Sequence, residues 1–279
     1  MRPLFYDGKA KALTFSYDDG VTQDRRLVEI FNKYGMKGTF NLNSGKFSVE
    51  APANGFDRPV SHNKIDEGEV AELYAGHEVA VHTLSHCWPQ YLSRDTLLDE
   101  VMQDRQNLES LVGYPVNGMA YPYGTYNELT LEVLRECGIR YSRTVQATKA
   151  FGYPADFLEW HPTCHFGDSN MMELADQFLE LGKGKLKKRY LPIFYVWGHS
   201  YELDGNDTWG LMEEFCQKLS GQADIWYATN GQLVDYYEAL AAATYSADKT
   251  MVKNNSSLSL WFEKDGQVIE VKPGTVGHF

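Results

Sequence analysis

Between Lys11 and Ala243 the chain repeats one pattern seven or eight times: a short apolar run of strand character, a few polar residues, then an amphipathic helical stretch. The first run, Ala12-Leu13-Thr14-Phe15, leads into Asp18-Asp19-Gly20; Leu27, Ile30, Phe31 and Tyr34 then recur at helical spacing until Gly35 stops them. Residues 38–43 read as the next strand and complete a β-α-β unit. Further strands are expected at 78–81, 116–120, 139–142, 157–160, 191–197 and 225–228, with helices at 66–74, 93–112, 128–137, 171–181, 208–219 and 231–243. Such alternation buries each strand under helices and predicts an α/β fold, a distorted (β/α) barrel of seven or eight parallel strands. The length, 279 residues, is usual for one such barrel.

The pattern breaks at Thr244. Residues 1–243 are therefore expected to form the barrel domain and 244–279 a C-terminal extension. In the extension, residues 257–262 and 268–271 flank Asp265-Gly266, the signature of a β-hairpin, which is too small to be stable alone and should lie against the barrel. Residues 44–64 hold Gly45, Pro52, Gly55 and Pro59 without periodicity and read as a long loop over the barrel mouth; 183–189 is a basic run read as a solvated connection.

Polar residues gather just after the strands, at the end of a parallel barrel where ligands bind. Asp18 and Asp19 are adjacent there, and two like charges side by side call for a cation or an arginine. Taken alone they also fit a solvated turn. His82 and His86 flank the Thr83-Leu84-Ser85 turn after another strand; two imidazoles and a carboxylate suit zinc or a similar divalent ion with a position left for water.

Composition narrows the partners. The formal charge, 26 − 38 = −12, opposes binding to nucleic acid or to an anionic membrane, both of which need a basic face. No apolar run is long enough to span a membrane. Cys87, Cys137, Cys164 and Cys216 are far apart and read as free thiols. The segment Met1 to Asp7 lacks an apolar signal region, so a cytoplasmic location is expected, although a trimmed exported protein would read the same way.

Three segments, Phe15-Ser16-Tyr17-Asp18-Asp19-Gly20, the stretch His77 to His86 and Tyr121-Pro122-Tyr123-Gly124, resemble in order the first three motifs of the polysaccharide deacetylases, the carbohydrate esterase family with the NodB homology domain. The resemblance implies a NodB-like barrel and a metal-dependent hydrolase that removes N-acetyl groups from poly- or oligosaccharides. It makes Asp18 the general base, Asp19, His82 and His86 the ligands of a divalent metal (zinc first, with cobalt, nickel or manganese as alternatives), Tyr123 N–H an oxyanion donor and His199 the acid. Trp160, Trp197 and Leu203 are implied around the substrate. The family's third-motif arginine, which pairs with the catalytic aspartate, is absent: Met119 or Ala120 stands there, and Arg143 at the end of the following strand is the expected replacement. The partner of His199 is left open among Asp156, Glu159 and Asp168, and His161 and His165 are left open between sugar contact, metal contact and a structural role.

Partners implied are an N-acetylated glycan or a small amide; oligomeric state is not determined by the sequence. An O-acetyl esterase, a non-sugar amidase on the same scaffold and a catalytically impaired carbohydrate-binding protein are the competing readings.

Overall fold

The computed structural model describes residues 1–182 and 191–279, so the basic run expected at 183–189 lies outside the described residues. In chain order the strands are β1 (Arg2–Leu4), β2 (Lys11–Asp18), β3 (Gly38–Leu42), β4 (Pro52–Ala53), β5 (Val60–Ser61), β6 (Glu78–Val81), β7 (Gly118–Ala120), β8 (Tyr141–Arg143), β9 (Cys164–His165), β10 (Ile193–Gly198) and β11 (Ile225–Tyr227). The extension adds β12 (Thr244–Tyr245), β13 (Met251–Lys253), β14 (Leu260–Lys264), β15 (Gln267–Val271) and β16 (Val276–His278). The helices are α1 (Asp24–Tyr34), α2 (Val70–Leu73), α3 (Arg94–Val112), α4 (Glu128–Glu136), α5 (Met171–Glu180), α6 (Ser200–Gly205), α7 (Trp209–Leu219) and α8 (Asn230–Ala241).

The parallel strands run in the order β8-β7-β6-β3-β2-β10-β9, with β11 pairing the start of β2. The sheet curls into the distorted barrel that the alternation predicts. Its ends are joined through residues 160–165: Trp160 bridges Arg143 of β8, and β9 a few residues on pairs Val196 and Trp197 of β10. On β2 the side chains of Leu13, Phe15 and Tyr17 pack outward in the main core under the helices. The alternate residues Thr14, Ser16 and Asp18 therefore point into the barrel.

That interior is polar and closed by hydrogen bonds. Near its base Thr14 Oγ1 donates to Asn230 Oδ1 (2.9 Å), Asn230 Nδ2 to Tyr195 Oη (2.6 Å), and Tyr141 Oη to Glu78 Oε1 (2.8 Å). Buried polar groups paired in this way hold one arrangement of the strands, since any slip would orphan them.

Several boundaries depart from the sequence reading. The expected strand at 157–160 is a 3-10 turn over Phe157–Glu159, because the Asp156 carboxylate accepts the Leu158 N–H (2.9 Å) and bends the chain before Trp160. The helix expected over 66–74 is a 3-10 turn capped by Asp66 followed by the four residues of α2. Inside the loop 44–64, β4 and β5 form a small hairpin, which points His62 and Lys64 back toward the barrel.

The hairpin of the extension is β14-β15, turning at Asp265 (φ 53°) and Gly266 (φ 81°). Its outer partner is β1, from the other end of the chain (Leu4 opposite Trp261), and Tyr236 Oη of α8 donates to Leu4 O at 2.7 Å. Pairing across 257 residues of sequence leaves no local signal.

Candidate active site

The carboxyl end of β2 sets the site. Asp18 is its last residue, inward-facing and 2% exposed; the chain then turns through Asp19 (φ 83°) and Gly20 (φ 58°). At Gly20 a Cβ would lie 2.9 Å from the Leu42 side chain, so the turn needs glycine for space as well as for conformation. Thr83 (φ 61°), His86 (φ 58°) and Tyr123 (φ 58°) share with Asp19 a left-handed backbone rare for residues with a side chain. Each costs on the order of 1–3 kcal/mol, and such strain concentrates at functional sites.

Asp18 ion-pairs with the buried Arg143 guanidinium, whose Nε also donates to Ser16 Oγ (3.3 Å) and whose plane lies 4.3 Å from the Trp197 ring. Arg143 therefore stands where the sequence reading placed a substitute for the missing arginine. Asn41 Nδ2 donates to Asp18 Oδ1 at 2.8 Å. Burial on its own would raise the Asp18 carboxyl, but Arg143, with His82 and His199, outweighs it and holds the group below its ordinary value, hence ionised.

Asp19, His82 and His86 converge: one ligand atom from each lies within 4.8 Å of the others. His82 Nδ1 is 2.8 Å from Ala120 O, an acceptor, so Nδ1 carries the proton and Nε2 presents a lone pair. Burial pushes the His86 imidazole down to about 3, keeping it neutral. Burial would push Asp19 up, but His62 and Lys64 override it and keep the carboxylate charged. Two neutral imidazoles and one carboxylate are the donor set of a catalytic zinc-type centre, so the residues fit a divalent ion. From the loop, His62 Nε2 lies 3.0 Å from Asp19 Oδ2, and Lys64 Nζ donates to the Asp19 backbone carbonyl at 2.8 Å and lies 3.4 Å from Oδ1. Neither was anticipated, since an aperiodic loop gives no sign of where its side chains return.

His199 faces this cluster. Its Nε2 is 3.9 Å from Asp18 Oδ2, and Asp18 Oδ2 is also 3.9 Å from His82 Nε2. The partner of His199 is Glu202: Nδ1 lies 3.1 Å from Oε1, and the His199 N–H donates to Oε2 at 3.2 Å. This corrects the three candidates above. Asp156 pairs with Arg135, Glu159 accepts from Tyr126, and Asp168 pairs with Lys149. The signal was present in His199-Ser200-Tyr201-Glu202, a capping-box spacing that begins α6 and returns the glutamate to the residue before the helix. Burial would lower His199, but the bond and charge of Glu202, with Asp19 and Asp18, raise it to about 9.

The residues expected around the substrate separate. Trp197 is half-buried, between Arg143 and His165 (ring centroids 4.6 Å) and beside His199 (5.7 Å). Trp160 is 1% exposed and packs among Tyr141, Phe157 and Tyr195, so it is a core residue of the barrel and does not face substrate. Its bridge to β8 carries the ring inward, which its place in the sequence could not reveal. Leu203, also 1% exposed, lines a cavity beside His165. The Tyr123 ring is exposed and stacks on Trp88 (centroids 3.7 Å, planes 6° apart), with His86 at its edge (4.6 Å). His161 Nδ1 is 2.6 Å from Thr144 Oγ1, and His165 joins Glu202.

A family model described as polysaccharide deacetylase matches residues 6–142, which contain Asp18, Asp19, His82, His86 and Tyr123. Over residues 6–142, just under half of its length, the chain matches the polysaccharide deacetylase family. Arg143, His199 and Glu202 lie beyond the matched segment, and their place in a deacetylase site rests on the geometry above. Among solved structures, a Mycobacterium smegmatis protein assigned to the polysaccharide deacetylases is similar over 86% of this chain and 95% of its own, at 17% identity and TM-score 0.58, which supports the fold. A family 4 carbohydrate esterase from Streptomyces lividans in complex with acetate matches over 78% of this chain and 90% of its own (15% identity, TM-score 0.46). A Streptococcus pyogenes deacetylase in complex with acetate matches over 52% of this chain (19% identity, TM-score 0.45), and the match spans 61% of that protein's length. No curated protein matches in sequence.

Proposed function

We propose that this protein is a metal-dependent hydrolase that removes N-acetyl groups from N-acetylated sugars. The observation that carries the reading is the position of Asp18, an ionised carboxylate set between His82 and the opposing His199 at the edge of the Asp19–His82–His86 cluster. A base and an acid facing each other beside a ligand set are what amide hydrolysis needs, and a protein that only binds glycans needs neither.

Asp19, His82 and His86 would hold the metal, zinc being the first choice. When bound, that ion supplies Lewis-acid polarisation of the acetyl carbonyl and acidification of a water. Asp18, kept charged by Arg143, accepts the proton of the attacking water. Tyr123 N–H, in the turn after β7, is proposed to donate to the oxyanion that develops on the carbonyl oxygen. His199, held through Nδ1 by Glu202, gives the Nε2 proton to the departing nitrogen as the C–N electron pair moves onto it. That proton is essential for an amide, because an unprotonated amine anion is a very poor leaving group. The exposed Trp88–Tyr123 stack beside His86 offers a flat face on which a sugar ring can lie.

The test is acetate release from N-acetylated chitin oligomers, with metal supplied and then withdrawn by a chelator. Chelator-sensitive acetate supports the proposal. Release only from O-acetylated sugars, or only from small non-sugar amides, reassigns the substrate; no acetate from any acetylated glycan, ester or amide refutes the enzyme.

A further inference from the structure

Resting on the deacetylase reading, and going beyond it, we propose that His165 is a positioning residue for leaving-group protonation, the outer member of a His165–Glu202–His199 chain that aims His199 at the departing nitrogen.

His165 ends the short strand β9, opposite Trp197 in register. The Gly167 N–H donates to its Nδ1 at 2.9 Å, so Nδ1 must present a lone pair and the ring proton sits on Nε2. That nitrogen is 2.9 Å from Glu202 Oε2, to which it donates. The Glu202 carboxylate is thus fixed at both oxygens, Oε2 by His165 and the His199 N–H, Oε1 by His199 Nδ1. Burial would raise Glu202, but the bonds from His165 and His199 reverse this and hold it well below its ordinary value. A charge-assisted bond from each side is roughly twice as strong as a neutral one.

The surroundings explain why a second anchor matters. Glu202 lies on the single-turn helix α6, and its long side chain borders a cavity of about 400 Å³ lined also by His165, Phe166, Leu203, Met171 and Asn206. Without His165 the carboxylate has room to swing into that space, and His199 loses the partner that holds its Nδ1–H and orients the ring. A Cβ on Gly167 would stand 3.0 Å from His165 Nδ1, so that end of the chain is seated on bare backbone.

The proton ledger is simple. His199 Nε2 gives one proton to the amine, keeping Nδ1–H on Glu202, which stays ionised; the proton Asp18 took from water returns to Nε2, 3.9 Å away, directly or through solvent. His165 itself transfers nothing.

His165→Leu removes the donor, whereas His165→Gln places an amide N–H the same number of bonds from Cα. Each variant is assayed on an N-acetylated sugar, whose amine must be protonated to leave, and on 4-nitrophenyl acetate, whose aryl oxide leaves unaided. The expected result is a loss of about tenfold or more in kcat/KM on the amide for His165→Leu, a clearly smaller loss on the aryl ester, and recovery of most of the amide rate in His165→Gln. Equal losses on both substrates, or no loss on either, overturn the proposal. Nitrogen-15 spectra of the histidines, recorded above about pH 9 where His199 becomes neutral, test it without turnover: Nδ1 of His199 should carry the remaining proton in the parent protein and in His165→Gln, and show mixed tautomers in His165→Leu. An unchanged His199 signal in His165→Leu overturns the proposal even if the deacetylase reading stands. Absence of turnover in the parent protein would strike that reading instead, leaving the spectra to decide the role of His165.

Discussion

Replacing Arg143 by Met tests the electrostatic centre of the site. Both partners are buried, Arg143 at 0% and Asp18 at 2% exposure, so the loss of the guanidinium strands a carboxylate in the barrel interior. Breaking a buried pair from one side costs about 3–5 kcal/mol, because the remaining charge stays desolvated. Asn41 Nδ2 at 2.8 Å is the neutral donor left to it. Asp18 is held low by Arg143 against burial, so in Arg143→Met burial prevails and its carboxyl moves up. Sign follows from linkage. In the parent protein the lowered Asp18 adds stability above its unfolded value, lost as pH falls through the folded one; in the variant this reverses, and ionisation of Asp18 opposes folding. With its main counter-charge gone the base is less fully ionised and no longer held in place, so kcat/KM for acetate release should fall, toward the roughly 100-fold that a general base is worth. Residual activity should climb with pH as Asp18 ionises, and the midpoint of thermal unfolding should drop by roughly 5–9 °C. Adding Asp18→Asn to Arg143→Met should restore much of the stability, since no charge is then stranded, and none of the activity. A variant with near-parental turnover, or a double variant less stable than Arg143→Met, would refute the reasoning.

Asp19→Asn or His86→Ala should abolish tight binding of one divalent ion per chain, read by metal analysis after dialysis, while leaving a folded protein. His199, raised to about 9 chiefly by Glu202 against burial, and faced also by Asp18 and Asp19, should keep amide cleavage active up to about that pH and let it fall beyond; in Glu202→Gln the falling limb should move toward neutral pH, measured from rate profiles. In the same sense His199 adds stability that is fully present below about 6.5 and is lost as pH rises through about 9, seen as a falling thermal midpoint over that interval. Trp160→Ala should cost about 3–5 kcal/mol in denaturant unfolding as a core truncation, with KM for short substrates little changed, because the ring packs inside the barrel and does not face substrate.

How much of this was legible in the chain depends on how local each signal is. The alternation of strand-like and helical runs follows from side-chain period alone, which is why β2, β3, β6, α1, α3 and α7 lie close to where the pattern puts them. Asp18, Asp19, His82 and His86 were readable because the residues that end parallel strands emerge at one mouth whatever the loops do. Arg143 could be guessed for the same reason, as a strand-end cation next to a motif that lacks one. Glu202 was within reach through its capping spacing and was missed because no helix was expected between the strand at 191–197 and the helix at 208–219.

What the sequence by itself determined was that Asp18, Asp19, His82, His86, Arg143 and His199 gather at one mouth of the barrel. The tertiary structure alone decided which of them touch: the return of His62 and Lys64 from their loop to Asp19, the inward burial of Trp160, the seating of His165 on Glu202, and the pairing of β1 with β14 from opposite ends of the chain. The reason is physical. Periodicity and turn chemistry act over a few residues, whereas a contact between distant segments is fixed by whichever packing buries apolar surface while leaving few buried polar groups unpaired, and that balance is struck across the whole barrel at once.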